Sequence, residues 1–342
     1  MSITKAFKYY LSNIPENANF LMGVLAGCIF SISLNATEYT VPRMSDGSPD
    51  LQGIWKNATA TPLERPSELG NRKAFTQKEA DALSAAALKK VADDAKPTDP
   101  NAPAPKAEAL PPVGNYNLFW TDRGMTATYI DGEYRTSIII DPQNGQIPAL
   151  KESAQKRMFN RRRSSRNDGP EGRALGERCL LSFGSSSGPP MLPVMYNSHY
   201  QIVQSEGMVL ILVEMVHDAR LIRIGKELKH DAREKWMGDS IGHWQGDTLV
   251  VETIGFREEQ SFRGSSPEMK VTEYFTRIAD DQILYRFTVN DPDAFEAPFT
   301  GELMFGAIDD IIYEYACHEG NYGLPGILNG ARLEEEKNKN KK

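Results

Sequence analysis

The sequence predicts a mainly β protein: an antiparallel meander that forms a lipocalin-like barrel or a two-sheet sandwich, with a helical N-terminal arm. Short apolar and β-branched runs recur from about residue 116 onward, separated by tight turns rich in Gly, Asn and Asp. No helical pattern between them is long enough for a crossover connection, which favours antiparallel hairpins. With 40% hydrophobic and 25% charged residues among 342, the composition is typical of a soluble globular protein.

Residues 1–36 have the parts of a secretory signal peptide. Lys5 and Lys8 precede an uncharged apolar run at residues 20–34, and Ala36 is a suitable cleavage site. The run is shorter than the about 20 residues of a spanning helix, although an uncleaved anchor remains an alternative. Residues 25–28 also resemble a lipobox, in which Cys28 would carry a lipid. We expect a periplasmic or secreted protein, with membrane contact only if Cys28 is lipidated.

Residues 37–113 are predicted to form the N-terminal arm. Thr76 and Glu79 have the spacing of a capping box, in which each side chain binds a free N–H group at the start of a helix. Apolar residues at helical spacing follow from Ala80 to Val91. Six of the 21 prolines then fall between residues 97 and 112, which predicts an extended linker at the end of the arm.

Residues 114–332 are predicted to form the antiparallel β domain, and residues 333–342 a disordered charged tail. A basic helix is expected over residues 148–163, where Leu150, Ala154 and Met158 are spaced by four residues. The predicted strands cover residues 135–141, 200–205, 208–215, 219–224, 240–245, 248–254, 269–278, 282–289, 299–305 and 311–316.

The charge balance excludes one class of partner. The chain has 39 Lys and Arg against 46 Asp and Glu, a formal charge of −7. A protein that neutralises nucleic-acid phosphates is expected to be basic, so we expect no nucleic-acid partner. The expected partner is a small-molecule ligand or substrate, no cofactor is predicted, and the oligomeric state is not indicated.

Two cysteines remain after the leader, Cys179 and Cys317. In an oxidising compartment such an isolated pair is expected to form a disulfide. Closing so long a loop would stabilise the fold by about 4–5 kcal/mol in the chain-entropy model. The alternatives are two buried free thiols or a cysteine nucleophile, and export disfavours both.

Several segments together resemble a widespread group of exported bacterial proteins without an assigned reaction. The matching segments are residues 49–55, 135–148, 177–179, 188–190, 196–197, 214–220, 236–256 and 317–322. The segment at 236–256 is long and specific. The resemblance implies export and a common fold, but it implies no substrate.

The densest cluster of ionisable residues follows the apolar strand at residues 208–213. It comprises Glu214, His217, Asp218 and Arg220. Glu214 shares a face with Leu210 and Leu212 by period-two alternation, which would carry its carboxylate into the interior. His217 is then the predicted proton shuttle with Glu214 or Asp218 as its partner carboxylate. The alternative is a hairpin corner held by an Asp–Arg pair.

Further candidates come from this cluster and from two others. Arg220 is predicted to contact an anion or oxyanion, and Asp239 to be a further catalytic group. The predicted substrate-binding residues are Tyr196, Asn197, Trp236, Trp244, Glu252, Glu319 and Tyr322. The tryptophans could form the floor of a sugar-ring pocket, although large aromatic residues in β domains are more often core residues. The His and carboxylate residues lack a ligand spacing specific to a metal, so no metal site is predicted.

These residues support three hypotheses. The first is an exported hydrolase, lyase or isomerase that uses metal-independent general acid/base catalysis on a small organic molecule or a sugar derivative. The second is a periplasmic lipocalin-like carrier that binds a small molecule without turnover. The third is a structural module of the cell envelope with an exposed apolar patch.

Overall fold

The computed structural model describes residues 39–94, 124–163, 167–182, 188–194, 196–225, 227–231, 233–260 and 262–340. It describes the backbone but not the side chains at positions 94, 161–163 and 217. The predicted leader, the predicted linker at residues 97–112 and the boundary at 113 lie outside the described residues. None of the helices in the described ranges is long and apolar enough to cross a membrane.

The described residues contain thirteen strands and three α-helices, numbered in chain order. The strands are β1 Gly53–Lys56, β2 Ala74–Phe75, β3 Tyr129–Ile130, β4 Glu133–Arg135, β5 Ile139–Asp141, β6 His199–Ser205, β7 Met208–Val213, β8 Ala219–Ile224, β9 Asp239–Gln245, β10 Thr248–Ile254, β11 Lys270–Ala279, β12 Gln282–Asn290 and β13 Phe299–Ala307. The helices are α1 Gln77–Asp94, α2 Glu152–Arg163 and α3 Gly323–Lys339.

Nine of the strands form a closed barrel, which decides between the barrel and the sandwich. The ring runs β1-β6-β7-β8-β9-β10-β11-β12-β13 and returns to β1, which pairs with both β6 and β13. β5 pairs with the first part of β13, and β2, β4 and β3 form a separate small sheet. The barrel is mixed rather than wholly antiparallel, because β8 and β9 are parallel. The excursion at residues 225–238 returns the chain to the end from which β8 began.

Alternation along the strands fills the barrel with side chains. In β7, Val209, Ile211 and Val213 are buried, whereas Leu210 and Leu212 are only half-buried. The predicted inward face of this strand is therefore wrong. The bulkiest fully buried side chains are Trp55, Tyr200, Tyr285, Phe256, Phe275, Phe287, Phe299 and Phe305. Several of these rings contact one another, as Tyr200 and Phe305 do with centroids 5.4 Å apart.

Local signals placed several elements correctly. The Glu79 carboxylate accepts hydrogen bonds from the Thr76 N–H and hydroxyl, both at 2.8 Å, which confirms the capping box at the start of α1. α2 lies within the predicted range but begins at Glu152. The hairpin turns at residues 206–207 and 246–247 are confirmed by the register of their strands.

Three local predictions are wrong. The run at residues 135–141 is divided between β4 and β5, because the chain leaves one sheet and joins the other. Residues 311–316 form no strand. Residues 333–339 continue α3 and are not a disordered tail; this stretch of Leu, Glu and Lys has good helix propensity.

Candidate active site

His199 and Glu214 face each other at one end of the barrel, where β6 begins and β7 ends. The two-residue turn between these strands sets the register, with Tyr200 opposite Val213. The next positions outward are therefore His199 and Glu214, and His199 Nδ1 lies 2.5 Å from Glu214 Oε2. The Glu214 side chain is 2% exposed and the His199 side chain 24% exposed. A buried carboxylate thus orients an imidazole that solvent can reach.

The Glu214 carboxylate has further partners. Its Oε1 accepts a hydrogen bond of 3.1 Å from the Tyr313 N–H, and the Asn197 side chain also binds it. Burial tends to raise the pKa of Glu214, but the hydrogen bonds from His199 and Tyr313 outweigh it and hold this pKa below its ordinary value. The carboxylate is therefore ionised at neutral pH, and Nδ1 of His199 is the donor in the short contact.

Two residues with positive φ flank the pair. Asn197 has a φ of 53° and Val216 a φ of 64°. Asn adopts this region with modest strain, but a β-branched residue rarely does because its side chain collides with the backbone. Such conformations cost about 1–3 kcal/mol and are concentrated at functional sites. Val216 is fully buried, so packing holds this backbone in place beside Glu214.

A disulfide fixes the segment that covers Glu214. Cys179 and Cys317 are bonded, with their Cα atoms 5.7 Å apart, which confirms the predicted bridge. We refer to residues 308–322 as the strap. Within the strap, the Tyr315 ring lies parallel to that of Tyr196, with centroids 6.4 Å apart. Asn321 donates to the Glu177 carbonyl at 2.8 Å and so adds a second attachment beside the disulfide.

Arg220 lies apart from Glu214, inside the barrel. Its guanidinium binds both carboxylate oxygens of Glu273, one of them at 2.9 Å, and also the hydroxyls of Ser240 at 3.1 Å and Thr253 at 3.0 Å. The Tyr285 hydroxyl donates to Glu273 at 2.8 Å. Arg220 is 2% exposed and Glu273 is 0% exposed. Arg220 is predicted to contact an anion or oxyanion of a substrate, whereas in the structure its guanidinium binds the Glu273 carboxylate inside the barrel.

The segment at residues 188–194 closes the same end of the barrel from within. Met191 is fully buried, its N–H donates to the Tyr285 hydroxyl at 2.9 Å, and its carbonyl accepts from Asn57 at 3.1 Å. Asn57 Nδ2 also lies 3.3 Å from the Tyr200 hydroxyl. A hydrogen-bonded chain thus joins this plug to the network around Arg220.

Asp239 lies on the outer side of the barrel, where it holds the excursion at residues 225–238. It accepts hydrogen bonds from Arg223 at 2.7 Å, Lys235 at 2.5 Å, His230 at 3.2 Å and the Asp231 N–H at 2.9 Å. Burial tends to raise the pKa of Asp239, but the bonds from Lys235 and the Asp231 N–H hold it below its ordinary value. Lys235, His230 and Asp231 belong to the excursion, and Arg223 lies at the end of β8 just before it. Asp239 therefore fastens the excursion to the outer side of the barrel.

Glu252 extends this outer cluster. It pairs with Lys270, and its Oε1 lies 3.5 Å from Nε2 of His230. Trp236 lies under the guanidinium of Arg257, 4.3 Å from the ring centroid, and Trp244 is half-buried against the core. The structure therefore does not bring four of the predicted site residues to the His199–Glu214 pair: Asp239, Glu252, Trp236 and Trp244.

Other predicted site residues have mixed positions. Tyr196 and Asn197 lie beside the pair, as described above. Asp218 follows the single helical turn Met215–His217 and is half-buried. His217 ends that turn next to the pair, but its side chain is not described. Glu319 and Tyr322 belong to the strap and are exposed, Tyr322 by 84%.

Within the described ranges, no group of three or more His, Cys, Asp or Glu side chains is arranged to hold a metal ion. A surface pocket of about 390 Å³ lies by the β6–β7 turn, at the opposite end of these strands from His199. Its walls are formed by Met44, Ser45, Asp46, Gln204, Ser205 and Glu206. This pocket contains no histidine to complete an acid/base pair.

His199 is a candidate site residue that the sequence analysis did not identify. The signal was available, because a two-residue turn at 206–207 aligns residue 199 with residue 214 across the hairpin. Sequence proximity favoured His217 instead. None of the models of protein families matches this chain, and none of the curated proteins matches it either.

Proposed function

We propose that this protein is an enzyme that uses general acid/base catalysis, with His199 as the proton shuttle and Glu214 as the carboxylate that orients it. The observation that carries the proposal is the 2.5 Å contact between a buried carboxylate and an accessible imidazole. The sequence placed the shuttle at His217. We propose His199 in its place, because the His199 ring contacts the Glu214 carboxylate, whereas the side chain of His217 is not described.

In this proposal each atom of the pair has a role. Glu214 accepts a hydrogen bond from Nδ1–H, which fixes the tautomer and leaves the Nε2 lone pair to accept a proton from substrate or water. The resulting imidazolium is stabilised by the charge of the carboxylate and returns the proton to the leaving group or product. This sequence serves hydrolysis, elimination or isomerisation of a small organic molecule or sugar derivative.

The proposal gives Arg220 and Asp239 supporting roles. Arg220 uses its donors on Glu273, Ser240 and Thr253 inside the barrel. Asp239 holds the excursion on the outer side. Tyr196 and Asn197 keep their proposed substrate contacts, since both lie beside the pair.

The packed interior supports an enzyme over a lipocalin-like carrier. A carrier of that kind holds its ligand in a cavity inside the barrel. Here the rings of Tyr200, Tyr285 and Phe305 are fully buried, Phe305 contacts both tyrosines, and the Met191 N–H donates to the Tyr285 hydroxyl. A ligand in the interior would have to displace these side chains.

The proposed location is the periplasm or the exterior. The Cys179–Cys317 bond supports it, because structural disulfides persist in oxidising compartments. The signal peptide and the alternative lipid on Cys28 concern residues outside the described ranges.

The test is a screen for turnover by mass spectrometry with pools of small molecules and glycosides. His199→Ala should lower the rate by about 10²–10⁴-fold, the usual contribution of a general acid/base residue, and Glu214→Gln should lower it as well. His243→Ala is the matched control, because it removes a histidine from the barrel strand β9 away from the pair. Turnover that survives His199→Ala would refute the proposal.

A further inference from the structure

Tyr313 combines a fixed backbone with an exposed ring. Its N–H donates to Glu214, the same carboxylate that orients His199. Its side chain is nevertheless 61% exposed. The backbone that carries this phenol is therefore held beside the His199–Glu214 pair by a hydrogen bond, while the ring is open to a ligand.

Two more tyrosines lie in the same region. Tyr315 follows two residues later in the strap and stacks on Tyr196 with an angle of 7° between the rings. The Cys317 N–H donates to the Tyr315 carbonyl at 2.8 Å, and Cys317 is held by the disulfide. We refer to Tyr196, Tyr313 and Tyr315 as the tyrosine shelf. Rigid aromatic surfaces bind ligands at a low entropic cost.

The charge of the strap restricts the ligand. Residues 308–322 contain no Lys or Arg. Their four carboxylates, which are all exposed, belong to Asp309, Asp310, Glu314 and Glu319. An anionic ligand would be repelled. Carboxylates accept hydrogen bonds from hydroxyl groups, and the negative face of a phenol ring attracts the C–H face of a sugar ring.

We propose that the tyrosine shelf is a subsite for a neutral sugar ring, which stacks on Tyr313 and presents its reacting bond to His199. This inference rests on the proposed function and names its substrate class as a neutral glycan. Tyr313 is then a positioning residue, because it orients the sugar without taking part in proton transfer.

Binding is measured by isothermal titration calorimetry, in which the protein is titrated separately with maltohexaose, cellohexaose and chitohexaose. At least one of these should bind, and Tyr313→Ala should weaken its binding at least tenfold. Tyr313→Phe should stay within about threefold, because the ring face is retained. Tyr129→Ala is the matched control, since it removes a tyrosine that is 52% exposed on the small sheet. Thermal unfolding of each variant verifies that it is folded.

Three outcomes would overturn the inference: no oligosaccharide binds, binding survives Tyr313→Ala, or tetramethylammonium competes for the shelf and shows it to be a cation site. His199→Ala separates the two proposals. It should bind the sugar like the wild type but fail to turn it over. Sugar binding at Tyr313 together with turnover that is unaffected by His199→Ala would refute the acid/base proposal and leave the sugar subsite standing.

Discussion

Replacing one partner of the Arg220–Glu273 pair should destabilise the barrel severely. The perturbation is Glu273→Gln, which keeps the size and shape of the side chain but removes its charge. Arg220 is 2% exposed and Glu273 is 0% exposed, so the guanidinium that remains is shielded from water. Its guanidinium would retain only neutral acceptors, namely Ser240, Thr253 and the oxygen of the new amide.

The expected magnitude follows from the burial of the pair. Breaking a buried ion pair by removing one partner costs about 3–5 kcal/mol, because the other charge stays desolvated and uncompensated. Arg220→Met should cost a similar amount, since it leaves the Glu273 carboxylate with the Tyr285 hydroxyl as its remaining described donor.

The double variant Arg220→Met/Glu273→Gln should be less destabilised than the sum of the two single variants. Ser240 and Thr253 remain hydrogen-bonded to each other at 2.9 Å, and Tyr285 can donate to the new amide oxygen. Neither charge of the Arg220–Glu273 pair then remains in the interior. We expect a coupling energy of about 2–3 kcal/mol or more in a double-mutant cycle.

The assay is urea unfolding at pH 7 with the disulfide intact, followed by tryptophan fluorescence. The matched control is Arg257→Met, which removes an arginine from the surface and should change stability by less than about 0.5–1 kcal/mol. The reasoning that this pair is isolated from water would be refuted if each single variant lowered the free energy of unfolding by less than about 1 kcal/mol. It would also be refuted if the double-mutant cycle gave no coupling energy.

Three more predictions concern other contacts. Thr76→Ala should cost about 1 kcal/mol in urea unfolding because the capping box is lost, whereas Thr76→Ser should retain it; equal costs would contradict this. Asp239→Asn should cost about 1–3 kcal/mol at pH 7. Because the pKa of Asp239 is lowered by folding, its contribution is present above the ordinary value of 3.8 and lost below it. The difference in free energy of unfolding between Asp239→Asn and the wild type should therefore narrow between about pH 5 and pH 3. A difference that stays constant would contradict the lowered pKa of Asp239. Reducing Cys179–Cys317 should cost about 4–5 kcal/mol. Without a reductant, alkylation should label neither cysteine, and rapid labelling of both would refute the bridge.

The hairpins could be predicted because their signals are local. Gly207 and Gly246 have φ values of 72° and 59°, which glycine adopts without strain. Each therefore sets a tight turn and the register of two strands. The capping box at Thr76 is equally local. In these cases a few neighbouring residues decide the structure.

Closure of the ring and the parallel pair could not be predicted in the same way. β1 has four residues and pairs with strands that are remote in sequence. The parallel alignment of β8 and β9 depends on the excursion at residues 225–238, whose course is set by Asp239 and its partners. These contacts form between distant positions, and no local periodicity indicates them.

The candidate site was predicted in part. Glu214, Tyr196 and Asn197 lie together, but Arg220 does not join them despite its short sequence separation from Glu214. The chain turns at Met215–His217, and alternation in β8 then directs Arg220 into the barrel. The partner of Glu214 is His199, which lies across the hairpin and is 15 residues away in sequence. A search among sequence neighbours of Glu214 therefore does not find it.

The short strand β1 also has a consequence for folding kinetics. It joins β6 to β13, and its partners in β13 follow it by about 250 residues, so the seam of the ring is among the least local contacts in the chain. Until β1 and β13 have paired, the sheet is open and its edge strands invite pairing with other chains. Slow closure and aggregation of incomplete chains are therefore expected, and a chain that ends before Gly306 lacks the residues that complete the seam.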